Sequence, residues 1–337
     1  AIIHLILFIF NSKCMKLTGK NFNNYLYFTV FILSLICILN FLTPYLYRSL
    51  PNDYIRTRLI IETLADSVQR PNVVIFGNSR GMSGINGYLL EKEIKGNPTV
   101  YSFTSTGQQV SESALYYSSL PVSVRTVLQC VDIDQLSESI DMNMPNRVAL
   151  HMYGYKMDAL TEKFLPSLKS KLDLPVLYYN YEARNCVFTG LSTILRNLLD
   201  DDIIQNATEK ELRYPTSKTS NRNDIIYQRD VDEQNMNNKF LDYGIVPEWE
   251  QLLKDSYLYF QNRNITYYLV IMPYNPDIKS STLQEKQKAL ELFKNTFKNI
   301  PVIDCFNLLE ASDFYDAIHP NRKGAQKITE QIILQLP

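Results

Sequence analysis

From Tyr25 to Leu46 the chain reads YLYFTVFILSLICILNFLTPYL, without a single charged residue. A helix needs roughly 20 such residues to cross the hydrocarbon core of a bilayer. Tyr25, Tyr27, Tyr45 and Tyr47 stand near the two ends, where interfacial aromatics belong. A cleaved signal peptide has a shorter apolar core and a small-residue cleavage site. Neither is evident here, and SLIC around Cys37 departs from a lipobox at Ile36. The sequence therefore predicts a retained transmembrane helix over 25–47, preceded by an N-terminal tail over 1–24. Met15-Lys16 resembles a more natural start, so residues 1–14 are set aside from fold reasoning. Lys13, Lys16 and Lys20 before the span nearly balance Arg48, Arg56 and Arg58 after it, so charge alone does not orient the helix. A long C-terminal domain translocates despite such flanks, and an extracytoplasmic domain on a single-pass anchor is expected.

Elsewhere the balance of charge is close to even, with 34 basic and 35 acidic residues. No basic run carries interleaved aromatics, which argues against a nucleic-acid partner. The five cysteines, Cys14, Cys37, Cys130, Cys186 and Cys305, show no metal-ligand spacing and read as buried or membrane thiols. No metal and no cofactor is expected. His4, His151 and His319 are the three histidines, so any mechanism requiring an imidazole has few candidates.

Beyond the span, Ile55, Leu59, Ile60 and Leu64 recur at helical spacing, and 48–70 is read as a linker helix ended by Pro71. NVVIF at 72–76 is then a short β-branched run, hence a buried strand. Similar runs follow at Thr99–Phe103, Arg125–Ile133, Ile265–Met272 and Pro301–Asp304. Helical stretches such as Ile85–Ile94 and Leu283–Phe297 lie between several of them, and alternation of this kind predicts right-handed βαβ units and a parallel sheet. The last helix is capped by Asn321, with Ile328, Ile332, Ile333 and Leu336 as its inward stripe. Between about 141 and 259 the rhythm breaks. This interval, with helical pieces at Leu191–Leu199 and Trp249–Phe260, is read as an insertion in a domain over 71–337. Its polar middle, roughly Gln205 to Asn238, reads as a mobile loop. The sequons at Asn206 and Asn264 are short enough to arise by chance.

Two short segments carry chemistry. The first strand runs into Gly77-Asn78-Ser79-Arg80-Gly81. A Gly-flanked serine between strand and helix places a hydroxyl at the carboxyl edge of the sheet, where open α/β folds bind ligands. The helix N-terminus there offers N–H groups to an oxyanion. Ordinary turns and phosphate cradles use the same residues. The second segment is Asp316-Ala317-Ile318-His319-Pro320-Asn321, just before the last helix. An Asp three residues ahead of a His can turn its carboxylate onto Nδ1 and leave Nε2 to take a serine proton, the division of labour of a triad. The alternative is that Asp316 and Asn321 only cap a helix while His319 packs beneath a loop.

GNSRG after the first strand and DAIHPNRKG before the last helix together resemble the first and last sequence blocks of the SGNH (GDSL-like) hydrolase superfamily. The resemblance runs from about Asn72 to Leu336, apart from the insertion. It implies a flavodoxin-like α/β fold with five parallel strands in the order 2-1-3-4-5. It further implies Ser79 as nucleophile, His319 as base and Asp316 as its orienting partner. The middle blocks depart from the pattern. Gly107 in STGQQ is the best match for the glycine that joins Ser79 in the oxyanion hole. At the place of the third-block Asn stands Val131-Asp132-Ile133-Asp134-Gln135, and losing one oxyanion donor commonly costs about 10² to 10³ in rate. Asp132 and Asp134 also read simply as strand-end residues. GNSRG fits the G-x-S-x-G elbow of α/β-hydrolases as well, but that elbow follows several earlier strands. The Ser-Arg variant resembles membrane-tethered relatives acting on cell-envelope polymers, including O-acetylation proteins. The expectation is thus a serine-dependent acetyl esterase or O-acyltransferase on an envelope or exported polysaccharide. Its partners would be a carbohydrate or acylated small molecule and a membrane acyl-donor protein. Asn78, Arg80, Tyr274 and Asn275 are the expected substrate-binding residues; Pro273 and Pro276 equally make Tyr274-Asn275 a turn. A catalytically inactive SGNH-like scaffold component is the alternative.

Overall fold

The computed structural model describes residues 19–52, 54–66, 70–140, 144–166, 168–199, 212–213, 224–237, 244–279 and 281–336. The tail up to residue 18, with His4 and Cys14, and the Asn206 sequon lie outside them. The uncharged run forms α1 (Gly19–Ser49), of which Leu26–Ser49 is long and apolar enough to cross a membrane. The next helix, α2 (Ile55–Ala65), follows after a few residues pinned by Asn52, whose side chain bonds the carbonyls of Tyr47 and Leu50.

Five β-branched runs become five parallel strands: β1 (Val73–Gly77), β2 (Val100–Thr104), β3 (Thr126–Val131), β4 (Thr266–Ile271) and β5 (Val302–Asp304). Their order is β2-β1-β3-β4-β5. Val74, Ile75, Phe76, Val127, Leu128, Leu269, Val270 and Ile271 are fully or almost fully buried. Runs without polar alternation mark strands covered on both faces. Between the strands lie α3 (Ser79–Gly84), α4 (Gly87–Glu93) and the short α5 (Val110–Ser113).

The insertion between β3 and β4 contains α6 (Met144–Met152), α7 (Ala159–Phe164), α8 (Leu168–Leu172), α9 (Val176–Leu199), α10 (Asp224–Asn237) and α11 (Pro247–Asn262). The helices expected at Leu191–Leu199 and Trp249–Phe260 are parts of longer ones. The mobile loop expected over Gln205–Asn238 is corrected in its later part. Residues 224–237 are helical, and Tyr227 and Val231 reach the main core, a tertiary gain that local polarity conceals.

Trp249, Leu252, Leu253 and Phe260 of α11 also enter the main core. Other apolar residues of the insertion build a second cluster, in which Val148, Ala149, Met152, Tyr153, Tyr179, Ala183 and Val187 enclose Tyr47 and Leu50. The insertion therefore serves two cores, one of them shared with the foot of α1. After β4 come α12 (Leu283–Thr296), opened by a Thr282–Glu285 capping box, and α13 (Arg322–Ile333). Ile328 and Ile332 are buried as expected. Leu336 instead lies past the helix end and packs only partly on the core.

The linker segment is also more deeply engaged than its apolar stripe suggests. Arg56 is buried, its guanidinium donating to the carbonyls of Ser102 and Thr104 at 2.8 Å each. Thr57 Oγ1 lies 3.3 Å from Ser105 Oγ. These contacts fix α2 at the carboxyl end of β2, and Arg56 is withdrawn from the positive flank of the span.

Candidate active site

β1 delivers the chain to the site through Gly77, whose φ of +153° suits glycine. A Cβ there would lie 2.6 Å from Cys130 Cβ on β3, so close packing of two strands excludes any larger residue. Asn78 caps α3, its Oδ1 accepting from the Arg80 N–H at 2.9 Å. Ser79 is the first residue of that helix, so its own N–H has no intrahelical carbonyl to bond. Hydroxyl and amide of one residue thus share the sheet edge.

The opposite wall is the loop before α13. Asp316 Oδ1 accepts from the backbone N–H groups of Ile318 (3.0 Å) and His319 (2.8 Å), which folds the loop over its own carboxylate. Oδ2 of the same carboxylate lies 2.8 Å from His319 Nδ1, and His319 Nε2 lies 2.8 Å from Ser79 Oγ. Burial raises the Asp316 pKa, but the bonds from His319 and the two backbone amides outweigh it and leave a net depression. The carboxylate is therefore held charged, its place in a triad. The Tyr315 N–H donates to the His319 carbonyl (2.8 Å), and Asn321 Oδ1 caps α13 by accepting from Lys323 and Gly324.

Gly107 lies on the loop after β2 with φ +66°. The Ser105 N–H donates to the Gly77 carbonyl, tying the loop after β2 to the strand that carries the serine. Asn146 on α6 then donates through Nδ2 to the Gly107 carbonyl at 3.2 Å and to both oxygens of Glu112 at 2.9 and 3.1 Å. Burial pushes the Glu112 carboxyl up to about 8, with Asn146 and the Gln109 backbone pulling it down.

Just past the end of β3, Asp132 is buried and turned to the serine's neighbours. Its Oδ2 accepts from Asn78 Nδ2 at 2.6 Å, and its Oδ1 forms an ion pair with Arg80 Nη1 at 2.9 Å. Burial lowers the Arg80 pKa, and the charges of Asp132 and Asp134 reverse this to a net rise. Burial in turn raises the Asp134 carboxyl, against the pull of Arg80.

The structure thus brings Ser79, Asp316 and His319 together as expected from the sequence. The four residues expected to hold substrate are engaged within the protein. Asn78 and Arg80 meet Asp132. Tyr274 stacks on Phe306 with Lys286 above its ring. Asn275, fully buried, donates to the Ala317 carbonyl at 2.9 Å and bonds the Tyr227 hydroxyl. Asn78 and Arg80 thus tie the serine turn to the end of β3, and Asn275 ties the end of β4 to the histidine loop. Sequence reasoning passed over Asn146, Glu112 and Tyr227. The nearest signal was the unusual position of a Glu inside the apolar run VSESALYY. His151 stacks on Tyr179 at 3.9 Å, away from the triad. Cys37, Cys130, Cys186 and Cys305 are free thiols, and no metal-binding group of His, Cys, Asp or Glu occurs among the described residues. Compared with known proteins, the chain matches no protein-family model and no curated sequence.

Proposed function

We propose that this chain is a serine-dependent acyl ester hydrolase or O-acyltransferase of the SGNH type. The observation that carries the reading is the continuous relay from Asp316 Oδ2 through His319 to Ser79 Oγ, with both links at 2.8 Å. In this reading Ser79 Oγ attacks the acyl carbonyl and passes its proton to His319 Nε2. The N–H groups of Ser79 and Gly107 stabilise the resulting oxyanion. Collapse breaks the ester bond, His319 returns the proton to the departing alcohol, and the acyl group stays on Ser79. Water or a sugar hydroxyl, deprotonated by His319, then takes the acyl group and restores the serine. No further reactant is required.

The anchor and the Ser-Arg motif favour an acetylated envelope or exported polysaccharide as substrate, with the domain on the extracytoplasmic side. A membrane protein that supplies acyl groups is the partner such a transferase needs. The Arg80–Asp132 pair, standing where an oxyanion Asn is usual, favours a second reading: a catalytically silent SGNH-like component of a polysaccharide assembly.

Turnover of a small acetyl ester by the full chain in detergent, beside Ser79→Ala, separates the two. The expected loss is at least about 10³-fold. Equal rates in the two proteins overturn the triad and leave the silent reading standing. The full chain is the right object, because truncation at Asn52 removes Tyr47 and Leu50 from the second core.

A further inference from the structure

Helix α9 runs beside α1. Asn180 Nδ2 donates to the Asn40 carbonyl at 3.0 Å. Further along, a Cβ on Gly190 would lie 2.8 Å from Leu50 Cβ and from the Pro51 carbonyl. Both contacts carry the same sequence offset, so the two helices lie parallel and in the same direction. Asn40 is about 14 Å along the axis from Ser49, at 1.5 Å per residue. By the same offset the first turns of α9, from Val176 to Tyr181, are level with Ile36–Phe41, from the middle into the C-terminal half of the apolar span Leu26–Ser49.

At that level α9 presents large apolar groups outward: Val176 is 58% exposed, Leu177 67%, Tyr178 41% and Tyr181 58%. Arg184 follows one turn later, its guanidinium 3.4 Å from the centre of the Tyr181 ring. Lys171 and Asp173 lie just before the helix. Apolar and tyrosine side chains bounded by charges match the layer between acyl chains and headgroups. The same charges exclude a position at the bilayer centre.

We propose that the first two turns of α9 lie in the membrane interface beside α1, as a second contact of this chain with lipid. Val176, Leu177, Tyr178 and Tyr181 enter the boundary between headgroups and acyl chains, and the headgroup layer crosses α1 between Asn40 and Tyr45. Continuity with the apolar span identifies the bilayer as the occupant, because the exposed patch and the span form one surface at one level. The inference rests on α1 spanning the membrane and is independent of the chemistry at Ser79.

The test uses the full chain reconstituted in phosphatidylcholine vesicles, with or without phosphatidylcholine brominated on its acyl chains, at a dilution of one chain per vesicle. Leu177→Trp is the reporter, Tyr181→Trp a second, Phe31→Trp on α1 the control for insertion and Val122→Trp the control for solvent. Trp249, the natural tryptophan, is buried and donates to the Glu138 carbonyl, so it contributes a constant background. Bromolipid should quench the added emission of Leu177→Trp and Tyr181→Trp at least about twofold and leave Val122→Trp unchanged. Quenching of Phe31→Trp alone overturns the α9 contact. Absence of quenching at Phe31→Trp as well overturns the membrane span together with it.

Discussion

The two sides of the candidate site are held by different means. On the histidine side, Asp316 folds its own loop: one carboxylate accepts from the backbone of residues two and three positions on and from the His319 ring. On the Gly107 side, the peptide is held from outside by Asn146, which the insertion supplies, and Asn146 is shared with the buried Glu112. The first arrangement is local and forms wherever the short segment forms. The second exists only once β2 and α6 have come together. Damage to the first should therefore appear in rate, and damage to the second in stability and rate together.

The sharpest way to break this contrast is Asp316→Asn. An amide in that place favours the wrong imidazole tautomer, and the expected loss in kcat is about 10⁴-fold with little change in Tm. An equal fall in Tm would mean that the histidine loop is as dependent on distant support as its counterpart.

Glu112→Gln probes the other side through pH. With its carboxyl raised to about 8 in the fold and near 4.3 in the unfolded chain, the native state holds a proton that the unfolded state releases between those values. Stability from this group is complete below about pH 4 and declines as pH rises towards 8. The glutamine variant should flatten the decline, gaining on the order of a few kcal/mol at pH 8 over the parent. Urea unfolding at pH 5 and pH 8 measures it, and parallel pH dependences in the two proteins would contradict the assignment.

Asn146→Ala leaves the buried Glu112 without its side-chain donor and frees the Gly107 carbonyl. The expected cost is about 1–3 kcal/mol, with a fall in kcat that Ser79→Ala abolishes as a separate effect. A smaller effect is expected from Asn275→Ala. It removes the bond to the Ala317 carbonyl together with those to the Tyr227 hydroxyl and from the Asp277 N–H, at about 1–2 kcal/mol. The fall in kcat stays below that of Asn146→Ala, because the Asp316 bonds keep the loop folded. If Asn275→Ala proves costlier than Asn146→Ala, the histidine side is the one held from outside.

The same contrast explains what the sequence disclosed. The strands were legible because β-branched runs announce themselves within a few residues, and their order followed from the resemblance. The meeting of Ser79, His319 and Asp316 was legible because Asp316 and His319 sit on one short segment and Ser79 on a strand-to-helix turn. Arg56 on the β2 carbonyls, Arg80 on Asp132, Asn146 on Gly107 and Tyr227 on Asn275 are single contacts between distant positions, without periodicity. A buried arginine and a membrane-flanking arginine look alike until the chain is folded. The helix at 224–237 was missed for a related reason: its face is mostly polar, and only Tyr227 and Val231 go inward.

Helix α6 links the Gly107 loop to the foot of α1. Asn146 near its start grips the Gly107 peptide, and the Met152 carbonyl at its end accepts from Arg48 Nε at 2.6 Å, at the foot of α1. Its 9 residues make a rod of about 13 Å, and the pinned turn at Asn52 adds no slack. A spanning helix tilts to match its apolar length to the thickness of the bilayer. For an α1 that spans the bilayer as proposed above, this coupling would turn such a tilt into a rotation of the serine edge, and the thickness of the membrane would then set the angle at which the site faces the lipid surface.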